Sequence, residues 1–305
     1  MAAERRLSQA GIETGVRAYG LLTLTALLWA GNAIAGKLAV GEVSPFLLTA
    51  LRWAIAAAIL GVVARRRIAA DLPAIRANLP MLAAMGAVGF TLFNVLFYLA
   101  LVHTSAINVA IEQASMPLAV FALNFVFFGI RVTGLQIAGF LLTALGVAVT
   151  AAGGNPLRIL GAGLNVGDAM MIVAISFYGG YSVALARKPA IHWLSFLAVL
   201  SLVAAVASLP FAAWEYASDD MIRPSAKGWA VTVFTAIGPA IVAQLCWAMG
   251  LELIGSNRGG VFINIVPVFT AGFAILLLGE TFGLHHAIAM ALVIGGVWLS
   301  QQRAA

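Results

Sequence analysis

The chain has 305 residues, of which 63% are hydrophobic and 9% are charged, and its formal net charge is +6. A soluble protein carries about a quarter charged residues, so this composition excludes a soluble globular domain and indicates an integral membrane protein. The single cysteine, Cys246, excludes an intrachain disulfide, and no basic patch interleaved with aromatic residues indicates a nucleic-acid partner.

Ten apolar segments follow one another, each close to the ~20 residues that cross a hydrocarbon core ~30 Å thick. We predict membrane helices at residues 19–40, 45–64, 79–101, 106–128, 132–152, 167–186, 191–213, 227–251, 259–278 and 282–300. The first segment also has features of a cleaved signal peptide, with Arg17 before it and Ala33-Ile34-Ala35 near its end. Because it has a counterpart later in the chain, we expect it to be retained.

The second half of the sequence repeats the first. Residues 105–149 align with residues 255–299 without a gap, so that Pro117 matches Pro267 and Gly129 matches Gly279, each pair 150 positions apart. We predict a first five-helix repeat at 17–152, a central link at 153–163 and a second five-helix repeat at 164–302. Long repeats made of membrane-length segments are typical of transporters.

The basic residues predict the orientation. With the N-terminus inside, twelve of them fall on the cytoplasmic side: Arg5, Arg6, Arg17, Arg65, Arg66, Arg67, Arg76, Arg131, Arg187, Lys188, Arg258 and Arg303. Only Lys37, Arg158, Arg223 and Lys227 fall outside, so the positive-inside rule predicts that both termini are cytoplasmic. Since five is an odd number, the second repeat enters from the opposite side. The predicted fold class is an all-α membrane protein with ten transmembrane helices in two inverted five-helix repeats.

Short motifs carry a family resemblance. They are Leu28-Trp29-Ala30-Gly31-Asn32, residues 48–53 with Arg52, the two proline segments, and Leu278-Gly279-Glu280. The chain resembles the drug/metabolite transporter superfamily in its EamA-type ten-helix family, and is most similar to YddG-type amino-acid exporters. The first half departs from the pattern because Gly129-Ile130 stands where the second has Gly279-Glu280. The resemblance implies export of amino acids or other metabolites.

Polar and aromatic side chains near the middle of the predicted helices are the candidate substrate-binding groups. Such groups are unfavourable in lipid and therefore face a cavity or a partner. The candidates are Trp29, Asn32, Asn94, Tyr98, Glu112, Tyr178, Tyr181, Gln244, Trp247 and Asn264. Asn94 and Gln244 occupy corresponding positions in the two halves. For each residue alone, packing between helices or an interhelical hydrogen bond is the alternative interpretation.

Two charged residues and two prolines complete the predicted set. Arg52 and Glu112 lie at matching depths, which predicts a structural ion pair; alternatively, Glu112 meets a substrate ammonium group or takes a proton. The resemblance favours a structural role for Arg52. Pro117 and Pro267 each remove a backbone hydrogen bond, so we predict hinges there, with static kinks as the alternative.

The predicted function is export of amino acids across the plasma membrane (the bacterial inner membrane) by alternating access. Efflux of drugs or other small metabolites is one alternative, and an intramembrane enzyme is a distant one. An enzyme would need a nucleophile and a base at one depth, and the sequence offers no such pair. We predict no cofactor and no metal site, and the expected partners are a small-molecule substrate and the lipid bilayer. The oligomeric state is left open.

Overall fold

The computed structural model describes residues 2–129, 133–155, 165–255 and 259–302, and its regular structure is helical throughout these ranges, without a β-strand. Most of the predicted central link, residues 156–163, lies outside the described residues, as do Arg131, Arg158, Arg258 and Arg303. The all-helical membrane fold predicted from composition and segment length is therefore confirmed.

Eleven helices make up the described part of the chain. They are α1 (Ala2–Leu38), α2 (Pro45–Val63), α3 (Arg65–Ala77), α4 (Leu79–His103), α5 (Ala106–Phe127), α6 (Gly134–Ala151), α7 (Val166–Leu185), α8 (Trp193–Ala217), α9 (Ala226–Ile254), α10 (Phe262–Leu278) and α11 (Leu284–Gln301). Nine of them contain a stretch long and apolar enough to cross a membrane, which in α1 is Gly15–Leu38. Of the other two, α3 is polar and α10 is apolar but shorter. Ten membrane helices in two inverted repeats therefore stay a prediction.

Three of the described helices, α4, α9 and α10, contain a turn wider than the regular α-helix. Each has a π-helical turn, at Gly86–Leu92 in α4, at Gly238–Val242 in α9 and at Ala274–Leu278 in α10. In α9 the turn includes Pro239, which has no backbone N–H to donate to the regular hydrogen-bond ladder. Such turns change the register of every residue that follows them, and they are frequent at functional sites.

Helices α5 and α10 both change geometry just before a proline. In α5 the regular helix stops at Gln113 and resumes at Met116, one residue before Pro117. In α10 a 3₁₀ stretch ends at Ile265, two residues before Pro267. Each proline thus occupies the first turn of a new helical segment, where its missing N–H leaves no bond unmade. The predicted hinge role of both prolines stays a prediction.

A close backbone contact between the two predicted halves joins α6 and α11. A Cβ atom on Gly139 would lie 2.5 Å from the carbonyl oxygen of Gly296, and one on Gly146 would lie 2.8 Å from that of Ala289. The later residue of α6 thus meets the earlier residue of α11, so the two helices run antiparallel. Small residues permit this approach, which membrane helices use to gain van der Waals contact.

Candidate functional site

A cavity of about 410 Å³ lies within the helix bundle. Its lining comes from α1, α2, α4, α5, α7, α8, α9 and α10, whereas α6 and α11 do not reach it. Pockets for small molecules occupy roughly 300–1,000 Å³, so this cavity has room for one small ligand. The mixture of lining groups, aromatic rings together with amides and one guanidinium, suits a ligand that has both a polar and an apolar part.

Seven of the ten candidate substrate-binding residues meet at this cavity. They are Trp29, Asn32, Asn94, Tyr178, Tyr181, Gln244 and Trp247. Tyr98 instead lines a second cavity, and Asn264 lies beside the lining residue Ile263 without lining the main cavity itself. Of the two predicted hinge prolines, Pro267 lines the cavity and Pro117 does not. Substrate binding by these residues stays a prediction.

Aromatic rings form a continuous wall of the cavity. Trp53 stacks on Phe90 with their ring centroids 4.6 Å apart, Phe90 contacts Tyr181 at 5.5 Å, and Tyr181 contacts Tyr178 at 5.3 Å. A further ring, Phe93, lies 5.0 Å from Tyr178. Such a surface accepts apolar or aromatic groups of different shapes, because ring contacts contribute about 0.5–1.5 kcal/mol beyond the buried area.

A second aromatic pair joins the two predicted halves. The rings of Trp29 in α1 and Trp247 in α9 lie 5.4 Å apart, and both line the cavity.

Reasoning from the sequence missed Trp53, Phe90 and Phe93. Phe90 lies inside the π-helical turn Gly86–Leu92, so its spacing of four from Asn94 did not indicate a shared helix face.

The polar end of the cavity is organised by Arg52, whose side chain is only 4% exposed. Its Nη1 donates to Asn32 Oδ1 at 3.1 Å, to Asn94 Oδ1 at 2.8 Å and to the hydroxyl oxygen of Tyr98. The Tyr98 hydroxyl in turn donates to Asn32 Oδ1 at 2.9 Å. Because Arg52, Asn32 and Asn94 line the main cavity and Tyr98 lines the second, this cluster separates the two cavities.

The predicted ion pair between Arg52 and Glu112 is not formed. Arg52 faces α1 and α4, and Glu112 lies fully buried with no cation, amide or backbone N–H donating to either carboxyl oxygen. The charged group that acts on Glu112 is another acid, Asp168 of α7, which is 1% exposed. The prediction failed because matching depth along two helices says nothing about the direction in which each side chain points. Glu112 also does not line the cavity, in contrast to the predicted contact with substrate.

The cavity continues to the end of the bundle where α7 and α9 finish and α8 begins. Its lining there includes Trp193, Phe196 and Glu252. The Nζ atom of Lys188 lies 4.8 Å from the Trp193 ring centroid and donates to the carbonyl oxygen of Ile191 at 2.7 Å. Burial lowers the pKa of Lys188 below its ordinary value, and the negative charges of Asp71 and Glu252 oppose that change. Charged groups of both signs therefore surround this end.

At the opposite end, acidic side chains from the second half bind helix N-termini of the first half. Glu215 of α8 accepts hydrogen bonds at the start of α2, from the Ser44 hydroxyl at 2.6 Å and from the Leu47 N–H at 2.9 Å. Glu280, which precedes α11, accepts from the N–H groups of Ala106 at 2.8 Å and Ile107 at 3.1 Å, at the start of α5. A carboxylate here satisfies orphan N–H groups and complements the positive end of the helix dipole.

A third contact ties the α1–α2 connection to the start of α9 at the same end. Glu42 accepts a hydrogen bond from the Ser225 hydroxyl and lies 3.5 Å from Lys227 Nζ. The hydrogen bond from Ser225, followed by the charge of Lys227, holds the pKa of Glu42 below its ordinary value. Lys37 of α1 donates to the carbonyl oxygen of Leu101 in α4 and to that of Thr104, which directly follows α4. The contacts of Glu215, Glu280 and Glu42 thus join the two predicted halves at this end of the bundle, beside the second cavity.

A helical membrane bundle with a ligand-sized cavity, reaching one end and closed by polar contacts at the other, has the architecture of a membrane transporter. Comparison of the sequence with known families assigns this transporter to one of them. The model of the EamA-like transporter family matches the chain twice, over residues 16–152 and 165–301, and the chain belongs to this family. It is therefore a transporter embedded in a membrane by many apolar helices, and not an enzyme.

Relatives cover almost the whole chain. An uncharacterised transporter named YetK in Bacillus subtilis is 24% identical over 93% of this chain and 86% of its own length. A probable terminal-alkyne amino-acid exporter of Streptantibioticus cattleyicolor is 26% identical over 94% of both chains. One crystal structure, 22% identical, superposes with a TM-score of 0.61 over 94% of this chain and 96% of the other, which shows a shared fold.

Proposed function

We propose that this transporter exports amino acids across the plasma membrane by alternating access between two inverted five-helix halves, residues 17–152 and 164–302. The observation that carries the proposal is the cavity, where seven of the ten predicted substrate-binding residues meet. The similarity to a probable terminal-alkyne amino-acid exporter supports an amino-acid substrate and the YddG-type resemblance. The two matches to the family model support the division into halves.

The chemistry of the lining fits this substrate class. Amino acids share a charged polar head and differ in the side chain, so an exporter of several must hold the head and tolerate the rest. The amides of Asn94 and Gln244 supply hydrogen-bonding groups from the two halves, and Tyr178 and Trp29 supply ring surfaces. We assign the amides to the shared head and the rings to the variable side chain.

Orientation follows from the basic residues. The cavity reaches the end at which Arg187 and Lys188 connect α7 to α8, and the positive-inside rule assigns these residues to the cytoplasm. The conformation described here is then the one that loads substrate from inside. Export requires the contacts of Glu215 and Glu280 at the other end to open.

The test is uptake of a labelled amino-acid panel into liposomes that contain the purified protein, measured as initial rate against concentration. Asn94→Ala and Gln244→Ala should each weaken transport of every substrate, because each removes a hydrogen bond to a charged head worth about 1.5–3 kcal/mol. That loss corresponds to roughly ten- to a hundred-fold in affinity. Gln301→Ala, exposed at the end of α11, is the matched control and should transport at the parental rate.

The ring residues should behave differently from the amides. Trp29→Ala and Tyr178→Ala should change the ranking of one aromatic against one small amino acid, because these rings contact the variable part. Parental rates and affinities in the folded Asn94 and Gln244 variants, for both substrates, would show that the cavity is not the substrate site.

The second candidate is efflux of drugs or other small metabolites. The wall from Trp53 through Phe90 to Tyr181 favours it, since a continuous aromatic surface binds many apolar compounds. Transport of aromatic cations in the same liposomes, together with no transport of any amino acid, would establish this function instead.

A further inference from the structure

The polar end of the cavity holds a positive charge without a counter-charge. All three recorded side-chain hydrogen bonds of Arg52 go from Nη1 to neutral oxygens, on Asn32, Asn94 and Tyr98. Its Nε is buried and has no hydrogen-bond partner. Among the described residues, no carboxylate oxygen lies within 4.0 Å of the Arg52 guanidinium. The ion pair of the described residues joins Lys227 and Glu42 instead.

An arrangement of this kind is unfavourable without a ligand. A guanidinium stays protonated at any physiological pH, so Arg52 cannot become neutral on burial. Moving a charge out of water costs several kcal/mol even after relaxation, and neutral amides compensate only in part. The rings of Trp53 and Tyr98, at 4.9 and 5.7 Å from Cζ, add a modest cation–π attraction. Charged side chains at membrane depth face a partner or a pathway, and Arg52 faces the cavity.

The remaining charge of the cavity lies at its other end. Glu252 is exposed where α9 finishes, and its negative charge acts on Lys188 there. The deep end is thus positive, and the entrance carries charges of both signs. A ligand that enters this field places a negative group at the deep end.

We propose that Arg52 is a substrate-binding residue that holds a carboxylate, so that the transported compounds are carboxylates; this rests on the proposed export of amino acids and names the group by which they are held. The planar fork of an arginine matches the two oxygens of a carboxylate. A single guanidinium surrounded by amide and hydroxyl oxygens neutralises one negative charge, which fits a carboxylate better than a doubly charged phosphate. In this assignment Arg52 holds the α-carboxylate, Asn94 both accepts a hydrogen bond from the guanidinium and donates one to the head group, and the rings receive the side chain.

The first experiment needs no substitution. Transport of labelled phenylalanine into liposomes is measured against two unlabelled competitors, 3-phenylpropionate, which lacks the ammonium group, and phenethylamine, which lacks the carboxylate. We expect 3-phenylpropionate to compete and phenethylamine not to compete. If phenethylamine competes as well as unlabelled phenylalanine does, amino-acid transport stands and the role of Arg52 is wrong.

The second experiment removes the charge. Arg52→Gln should weaken competition by 3-phenylpropionate by roughly ten- to a hundred-fold, because a charge-assisted hydrogen bond to the carboxylate is lost. Arg52→Lys keeps the positive charge and should retain part of the competition. Arg223→Gln, at an exposed position in the α8–α9 connection, is the matched control. Equal competition in Arg52→Gln and in the parental protein would overturn the proposal.

A binding measurement separates the two proposals. It also shows directly whether each variant is folded, because it records a melting temperature. The melting temperature of the purified parental protein is recorded with 3-phenylpropionate and with phenethylamine. Stabilisation by the carboxylate alone, reduced in Arg52→Lys and lost in Arg52→Gln, supports the role of Arg52 even if no amino acid is transported, in which case the export proposal fails. Stabilisation by neither compound, together with no amino-acid transport, overturns both.

Discussion

At the scale of single residues, the two buried charges of the first half have opposite surroundings. Arg52 is held by neutral acceptors and lines the cavity, whereas Glu112 is buried away from the cavity beside a second acid, Asp168. Their equal depth suggested a pair, and the packing of α2 and α5 against different helices keeps them apart. We therefore expect a change of Arg52 to affect transport and a change of Glu112 to affect stability.

Removing the charge of Glu112 should not destabilise the protein. Glu112→Gln keeps the shape of the side chain and removes a carboxyl group that faces the acid Asp168 and no cation among the described residues. Breaking a buried ion pair, by contrast, costs about 3–5 kcal/mol. We expect a melting temperature equal to or above that of the parental protein in detergent, with Glu252→Gln, an exposed glutamate, as the control. A fall of several degrees in Glu112→Gln alone would show that a cation stabilises this carboxyl group.

At the scale of helices, one end of the bundle is closed by carboxylates that bind helix N-termini of the other half. Glu280 does this at the start of α5, and Glu215 does it at the start of α2. The bonds are directional and lie between the halves, so a small rotation breaks them. Hydrogen bonds between a carboxylate and a helix N-terminus therefore suit a contact that must form and break repeatedly.

Weakening one of these contacts should expose the closed end. Glu280→Gln leaves a neutral oxygen to accept two N–H groups, which should weaken the contact by about 1–2 kcal/mol, the difference between charged and neutral hydrogen bonds. The probe is Ala106→Cys, at the fully buried start of α5, in a Cys246→Ser background. We expect faster labelling by a membrane-impermeant maleimide when Glu280→Gln is added. The control is Glu252→Gln at the other end, and equal labelling rates in all three proteins would contradict a role in closing this end.

The contact of α6 with α11 should tolerate no added side chain. A Cβ atom on Gly139 would fall 2.5 Å from a backbone oxygen of Gly296, so Gly139→Val has to push the helices apart. We expect a loss of about 2–5 kcal/mol, comparable to other severe packing defects, visible as a lower melting temperature and poor recovery from the membrane. Gly134→Val at the exposed start of α6, where an added Cβ meets nothing within 4 Å, is the control. An unchanged melting temperature in Gly139→Val would show that the two helices do not pack this closely.

At the scale of the whole molecule, the distribution of basic residues and the number of spans together define a topology. An even number of membrane helices returns the chain to the side on which it began. The acidic residues Asp219 and Asp220 lie in the connection between α8 and α9, at the end closed by Glu42 and Lys227. The predicted orientation places that end outside the cell.

Reporter fusions in a bacterial host test this orientation. Alkaline phosphatase, active only outside the cytoplasm, should be inactive when fused after Gln302 and active when fused after Asp220. A cytoplasmic reporter such as green fluorescent protein should give the reverse pattern at the two sites. High phosphatase activity after Gln302 would exclude a cytoplasmic C-terminus.

The sequence by itself determined the class of the protein and the order of its apolar segments. These follow from hydrophobic length, because a span must match the thickness of the bilayer. It also determined the depth of each candidate, since a helix rises 1.5 Å per residue. Asn94 and Gln244, predicted from their depth, their helix faces and the repeat, both line the cavity.

Only the tertiary structure decided which way each side chain faces. The π-helical turns at Gly86–Leu92 and Gly238–Val242 shift the register of the residues after them, so helical periodicity cannot be counted across them. Tyr98 lies one turn after Asn94 in the regular helix that follows the first of these turns, and both contact Arg52, but Tyr98 lines the second cavity. The partners of Arg52 likewise come from α1 and α4, far apart in the chain, and depend on how these helices pack. Depth follows from local spacing, but direction depends on contacts between distant segments.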